Sequence, residues 1–147
     1  MSTTPEKLFR MFTEVGIIHQ LASAAMRQNL PKPLSEAQFQ VLVHLSRVPN
    51  VNSPTGMTTA FQVTKGTMTH TLKLLQKNGF VRIRHNSQDG RKKSVHMTSE
   101  GEKILIKTIT ELRPNFEMLA DKMSHDDLDT LLDILPTVRA IMDKARD

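Results

Sequence analysis

Between Ser53 and Gly101 the sequence reads as a short helix, a tight turn, a second helix with a basic stripe, and a two-stranded basic hairpin. A lone two-stranded hairpin is marginal in water and must lean on the helices beside it. That order of elements is the layout of a winged helix-turn-helix, which reads duplex DNA. From Thr64 to Met97 eight Lys or Arg (Lys65, Lys73, Lys77, Arg82, Arg84, Arg91, Lys92, Lys93) stand against one acid, Asp89, a net +7 in a chain of net +5. Residues 114–147 carry eight acids against four bases, a net −4. A surface without a charged partner intersperses its signs; this one concentrates positive charge where a polyanion would dock.

The local signals are specific. Ser53 followed by Pro54 is a cap with proline at the first helical position, which starts a helix to about Phe61. Thr64 caps a predicted helix over Lys65–Asn78, whose inward face is Met68, Leu72 and Leu75. Lys65, Thr69, Lys73 and Lys77 recur on its opposite face, each four residues after the last. Gly79 supplies the left-handed residue that closes it. Residues 81–84 and 94–97 alternate as strands, joined by a polar loop with an Asp89-Gly90 turn signal.

Upstream, Leu8, Met11, Phe12, Val15, Ile18, Ala22, Ala25 and Met26 fall at helical spacing and mark one long amphipathic helix from Pro5 to Asn29. Ser35-Glu36-Ala37-Gln38 reads as a capping box with Leu34 and Phe39 as its hydrophobic staple; Pro49-Asn50 ends that helix. Downstream, Ser99 with Glu102 forms a second box, with Thr98 an equally good cap. Leu105, Ile109, Leu112, Phe116, Leu119 and Met123 then keep the alternating four-three spacing of a coiled-coil-like seam. Ser124 with Asp127 opens a last helix whose seam is Leu128, Leu131, Leu135, Val138 and Met142. Pro114 and Pro136 interrupt these patterns, and a kink or break is expected at each.

The predicted fold is mainly α with a small β-wing, one domain over residues 1–147. Residues 34–98 form the winged-helix part, and 5–30 with 99–145 the helical dimerisation part. One small domain cannot bury both seams alone, so Leu8, Met11, Phe12, Leu119, Leu128, Leu131, Leu135 and Val138 are expected between two copies.

Composition closes off other functions. Six Phe, no Trp and no Tyr argue against a stacking platform for single-stranded nucleic acid. The absence of Cys excludes disulfides, thiolate zinc sites and thiol redox sensing. His85 and His96 are expected to face each other across the hairpin, yet no histidine pair has the spacing of a helix-borne zinc motif, and neither metal nor cofactor is expected. There is no Gly-rich phosphate loop and no nucleophile elbow, so an enzyme is the remotest reading. Residues 1–10 lack a signal-peptide core and no run reaches spanning length, which predicts a soluble cytoplasmic protein without a membrane partner.

Together these residues resemble the MarR family, the multiple-antibiotic-resistance type of bacterial regulator, over about residues 5–145. The resemblance is carried by Val63-Thr64-Lys65-Gly66-Thr67, Leu75 through Gly79-Phe80-Val81, Asp89-Gly90-Arg91, and Met97-Thr98-Ser99-Glu100-Gly101. It implies a homodimer with interlocked first and last helices and two winged units facing one duplex at a pseudo-palindromic operator. It also implies repression relieved by a small amphipathic or aromatic ligand, whose binding residues the sequence does not identify. Two positions depart from the family pattern. His70 stands where arginine is frequent, and Met57-Thr58 replaces Leu-Ala.

Thr64, Lys65, Thr67, Thr69, His70 and Lys73 thus become the candidate contacts to base edges and phosphates. A polar helix face is ordinarily only solvated, and Thr67 on its own reads as a helix-start residue. In the wing the candidates are Asp89, Arg91, Lys92 and Lys93. By resemblance Arg91 enters the minor groove while Asp89 braces it, and a narrow minor groove concentrates the negative potential that rewards a guanidinium. The bland alternative is a charged turn. Two rival functions stand beside this one: a winged-helix module that binds protein or coats DNA without sequence preference and without a ligand, and an enzyme recognised only by turnover.

Overall fold

In the computed structural model, which describes residues 1–49, 52–85, 88 and 92–146, every described helix starts on a hydroxyl cap. The caps are Thr3 for α1 (Thr4–Asn29), Ser35 for α2 (Glu36–Arg47), Ser53 for α3 (Pro54–Phe61), Thr64 for α4 (Lys65–Lys77), Thr98 for α5 (Ser99–Ala120) and Ser124 for α6 (His125–Ala145). Each hydroxyl accepts the amide three residues on, which satisfies one of the donors a helix start leaves unpaired. Between α4 and α5 lies an antiparallel hairpin of β1 (Val81–His85) and β2 (Lys93–Met97), so the chain is mainly α with a small β-wing.

Several local expectations are corrected. The box at Ser35 closes on one side only: Gln38 Oε1 is buried without a partner among the described residues, because this side chain turns inward rather than back to the cap. A complete box sits instead at Thr3 and Glu6. At α5 the cap is Thr98, with Ser99 already helical, so Ser99 and Glu102 form no box. Neither Pro114 nor Pro136 breaks its helix; α5 and α6 run through both. A mid-helix proline deletes one hydrogen bond, and here each helix continues on both sides of it. α4 ends one residue early, with Asn78 as its C-cap, and each strand is one residue longer than expected.

The core sits between α2, α4, the first half of α5 and the inner face of the hairpin. Leu42, Leu72 and Leu75 are fully buried at its centre, with Met57 from α3, Val81 and Val95 from the wing, and Leu105 and Leu112 from α5. Leu34 and Phe39 are both in this core, as the staple requires. Met57 fills the buried position of α3, so the departure at this point is absorbed by a longer, flexible apolar side chain. Two glycines are required by geometry. Gly79 has φ +75°, the left-handed turn between α4 and β1. A Cβ on Gly101 would stand 2.1 Å from the Phe80 carbonyl oxygen, so only glycine lets α5 leave the wing this closely. Thr98 tightens the same joint: its amide donates to Phe80 O at 3.0 Å and its hydroxyl to Gly79 O.

α1 is tied to α2 by Arg27 and Glu36 at 3.1 Å. A hydrogen bond from Ser23, and then the Arg27 guanidinium, hold the Glu36 carboxyl below its ordinary range against the opposing effect of burial. Beyond that tie the helical arms remain open. α6 buries none of its residues, and Phe9 at 74%, Leu21 at 68%, Leu132 at 67% and Ile141 at 64% are among the large apolar side chains left exposed. Of the expected interface residues, Leu8, Phe12, Leu119, Leu131 and Leu135 are exposed, whereas Met11, Leu128 and Val138 are half-buried within the chain. No described helix is long and apolar enough to cross a membrane.

Candidate nucleic-acid interface

α4 has two chemically opposite faces because its apolar residues recur at helical spacing. Met68, Thr71, Leu72 and Leu75 are buried against the core, while Lys65, Thr69, His70, Lys73 and Lys77 are exposed. The helix start is built by its own threonines. Thr64 Oγ1 accepts the Thr67 amide at 3.1 Å and lies 2.8 Å from Thr67 Oγ1, so both hydroxyls are engaged locally. The turn before α4 places Gln62 in the left-handed region, φ 51°, with its side-chain amide donating to Thr59 O at 2.7 Å. That bond helps hold a conformation a non-glycine residue rarely adopts.

The hairpin stands beside α4, and the two enclose an open cleft of about 880 Å³. Lys65, Thr69, Lys73 and Gln76 line it from α4; Ser53, Pro54 and Thr55 at the start of α3 form one end. Lys92, Lys93, Ser94, His85 and His96 line it from the wing, and none of the described lining residues is acidic. Among the described residues, none of Lys65, Lys73, Lys77, Arg82, Arg84, Lys92 or Lys93 makes an ion pair; the pairs present all lie elsewhere, on the helical arms and at the α1–α2 tie. Unneutralised cations that converge on one concavity are arranged for an anion.

The fold therefore brings together Lys65, Thr69, Lys73, Lys92 and Lys93 of the sequence-derived set. It places Thr64, Thr67 and His70 on the same helix but outside the cleft lining. Asp89 and Arg91 lie outside the described residues. The strand register also corrects the hairpin: His96 is opposite Arg82 and His85 opposite Lys93, so the two histidines do not face each other. An odd number of residues separates their positions from true partners, which puts them on opposite faces of the ribbon. His96 shares its face with Arg82, Arg84 and Ser94, and Ser94 Oγ meets His96 Nε2 at 2.9 Å.

A second structural feature carried no sequence signal. Asn52 is buried and bridges to Val95, whose amide donates to the Asn52 carbonyl at 2.7 Å. Its side chain donates to Val48 O at 2.7 Å and meets His44 Nε2 at 3.2 Å. The His44 ring also lies 5.3 Å from Phe61. Burial lowers the His44 pKa below its ordinary value, with Arg47 adding to the shift and the Asn52 bond opposing it. This hydrogen-bonded group fastens the wing to α2 and α3.

Residues 34–93 match the family model described as MarR family. The chain is 41% identical over 69 residues to the HTH-type transcriptional repressor YetL of Bacillus subtilis (strain 168), a span of 46% of this chain and 41% of that relative's length. It is 29% identical over 100 residues to the transcriptional regulator HosA of Escherichia coli O157:H7, which covers 68% of this chain and 73% of HosA. The fold is similar to that of a mutant MarR from E. coli complexed with operator DNA, with a TM-score of 0.70, 22% identity, and coverage of 93% of this chain and 99% of that one.

Proposed function

We propose, from the match of residues 34–93 to the MarR family model, that this chain is a MarR-type protein, a homodimeric, sequence-specific regulator of transcription that binds duplex DNA. The observation that carries this reading is the cleft between α4 and the wing, where among the described residues the lining lysines make no ion pair and no acid is present. α4 presents Lys65, Thr69, His70 and Lys73 to the major groove, with the hydroxyl and imidazole groups reading base edges. The wing lysines hold the phosphate backbone, and Arg91 with Asp89 serves the adjacent minor groove. The activity is binding rather than turnover, and it operates in the cytoplasm. YetL is named a repressor, and repression is the sense we assign to this chain.

The second copy supplies what the arms lack. A 21-residue helix with no buried residue, in a chain that also leaves an apolar face of α1 exposed, needs an apolar partner of its own length. Pairing of α1, α5 and α6 across a two-fold axis sets two clefts about one helical turn of DNA apart, ~34 Å, and so selects a pseudo-palindromic site. Relief by a small amphipathic or aromatic ligand follows from family membership alone.

The test is fluorescence anisotropy on DNA from upstream of the protein's own reading frame, followed by footprinting. Duplex should bind at least about tenfold more tightly than either single strand, with a two-fold symmetric footprint. Equal affinity for single strands, or a footprint without symmetry, contradicts the reading.

A further inference from the structure

We propose that the cleft between α4 and the wing seats a run of DNA backbone whose phosphates draw protons onto His85 and His96, so that duplex binding is coupled to proton uptake. This rests on the duplex-binding reading above. His85 and His96 line the same cleft as Lys65, Lys73, Lys92 and Lys93. Among the described residues, the charged groups that line the cleft with them are these four lysines, and Arg82 and Arg84 share the face of the ribbon that carries His96. The start of α3 contributes only Ser53, Pro54 and Thr55. Asp89, the one acid between Thr64 and Met97, lies outside the described residues.

The lining chemistry selects a phosphodiester strand over a small apolar ligand. Leu72 and Ile83 are its large apolar contributions, whereas ligand pockets are predominantly apolar and aromatic. Imidazole is the side chain whose protonation changes between pH 5 and 8, and an anion within contact range favours its charged form. A phosphate in the cleft therefore gains an additional cation at each histidine that takes a proton. Ser94 is compatible with both states of His96: its hydroxyl donates to Nε2 of the neutral ring and accepts from Nε2–H of the charged one. The bound state holds more protons than the free state, so affinity rises as pH falls.

Phosphate contacts are independent of sequence, so a mixed duplex of roughly 30 base pairs serves as the probe. Dissociation constants are measured at about pH 8 and about pH 6 at fixed ionic strength for the wild-type chain, His85→Gln/His96→Gln and His125→Gln, the last at the start of α6 and outside the cleft. The ratio of the two constants is read within each variant, so a uniform loss of affinity does not enter. We expect the wild-type chain and His125→Gln to bind about tenfold more tightly at the lower pH, and the double variant to change by less than about threefold. A flat wild-type ratio overturns the inference, as does a tenfold ratio kept in the double variant or lost in His125→Gln. Absence of duplex binding at both pH values instead overturns the duplex-binding reading itself. If the double variant fails to fold, proton NMR of the wild-type imidazoles decides. The titration midpoints of His85 and His96 should rise on adding duplex, and unmoved midpoints refute the coupling.

Discussion

The winged part and the helical arms solve opposite halves of the same problem. In the winged part the apolar residues are mostly used up: Met68, Leu72, Leu75, Val81 and Val95 close a core, and among the described residues the cations of α4 and the hairpin make no ion pair. In the arms several charges pair along the helix, as in Arg113–Glu117 at 3.0 Å and Lys103–Glu100 at 3.1 Å, and large apolar residues are left exposed. What each region leaves exposed is the ground for its proposed partner: a polyanion for the first, a second apolar helical arm for the second. α5 leaves the winged part at a tight joint, where Gly101 meets the Phe80 carbonyl.

The largest effect should come from the arms. Replacing Leu131 and Leu135 by Asp puts charge onto a face that dimerisation is proposed to bury, and burial of an unpaired carboxylate costs several kcal/mol. The variant should sediment as a monomer or unfold at micromolar concentration. A variant that remains a dimer, with unchanged thermal stability, removes the arms from the interface.

Next is the joint. Gly101→Ala should cost about 3 kcal/mol, since the clash is with backbone rather than a movable side chain. It should be read as a fall in the thermal midpoint. A change within about 0.5 kcal/mol would mean that α5 and the wing are not held as described.

The cations come third. Lys73→Ala should weaken all duplexes alike and lower the salt slope by about one. Arg91→Ala should cost about 1–3 kcal/mol on the operator and less on a scrambled duplex. Identical behaviour of the two variants would erase the distinction between holding the backbone and reading the groove.

The smallest effect concerns pH and stability. His44 has its pKa lowered by burial in the folded chain, below the ordinary 6.5. Over the window from 6.5 down to the lowered folded value the unfolded chain binds more protons, so stability is lost as pH falls through it. His44→Gln should flatten the dependence of the thermal midpoint on pH across that window. Equal slopes in both chains would show that this group stays solvated.

Most of the winged part is legible in the sequence because short-range chemistry fixes it. Hydroxyl caps, the apolar repeat of α4 and Gly79 each act within about four residues, and each is found where expected. What escapes is set by distant partners. The facing of His85 and His96 depends on the register of the whole hairpin, and Asn52 gains its role only when Val95, 43 residues later, comes to pair with it. A break at Pro114 or Pro136 is also overestimated from local rules, because each helix continues on both sides of its proline and absorbs one missing bond. In the site, Lys65, Thr69 and Lys73 follow from helical spacing, but the contribution of Ser53, Thr55, His85 and His96 needs the cleft.

The most direct test of the account is a salt titration of duplex affinity. If six to eight phosphates are neutralised per dimer by the unpaired cations of α4 and the wing, the logarithm of the binding constant should fall with the logarithm of salt at a slope of about −5 to −7. A slope shallower than about −2 would mean that these cations do not meet the DNA backbone, and would contradict the account at its centre.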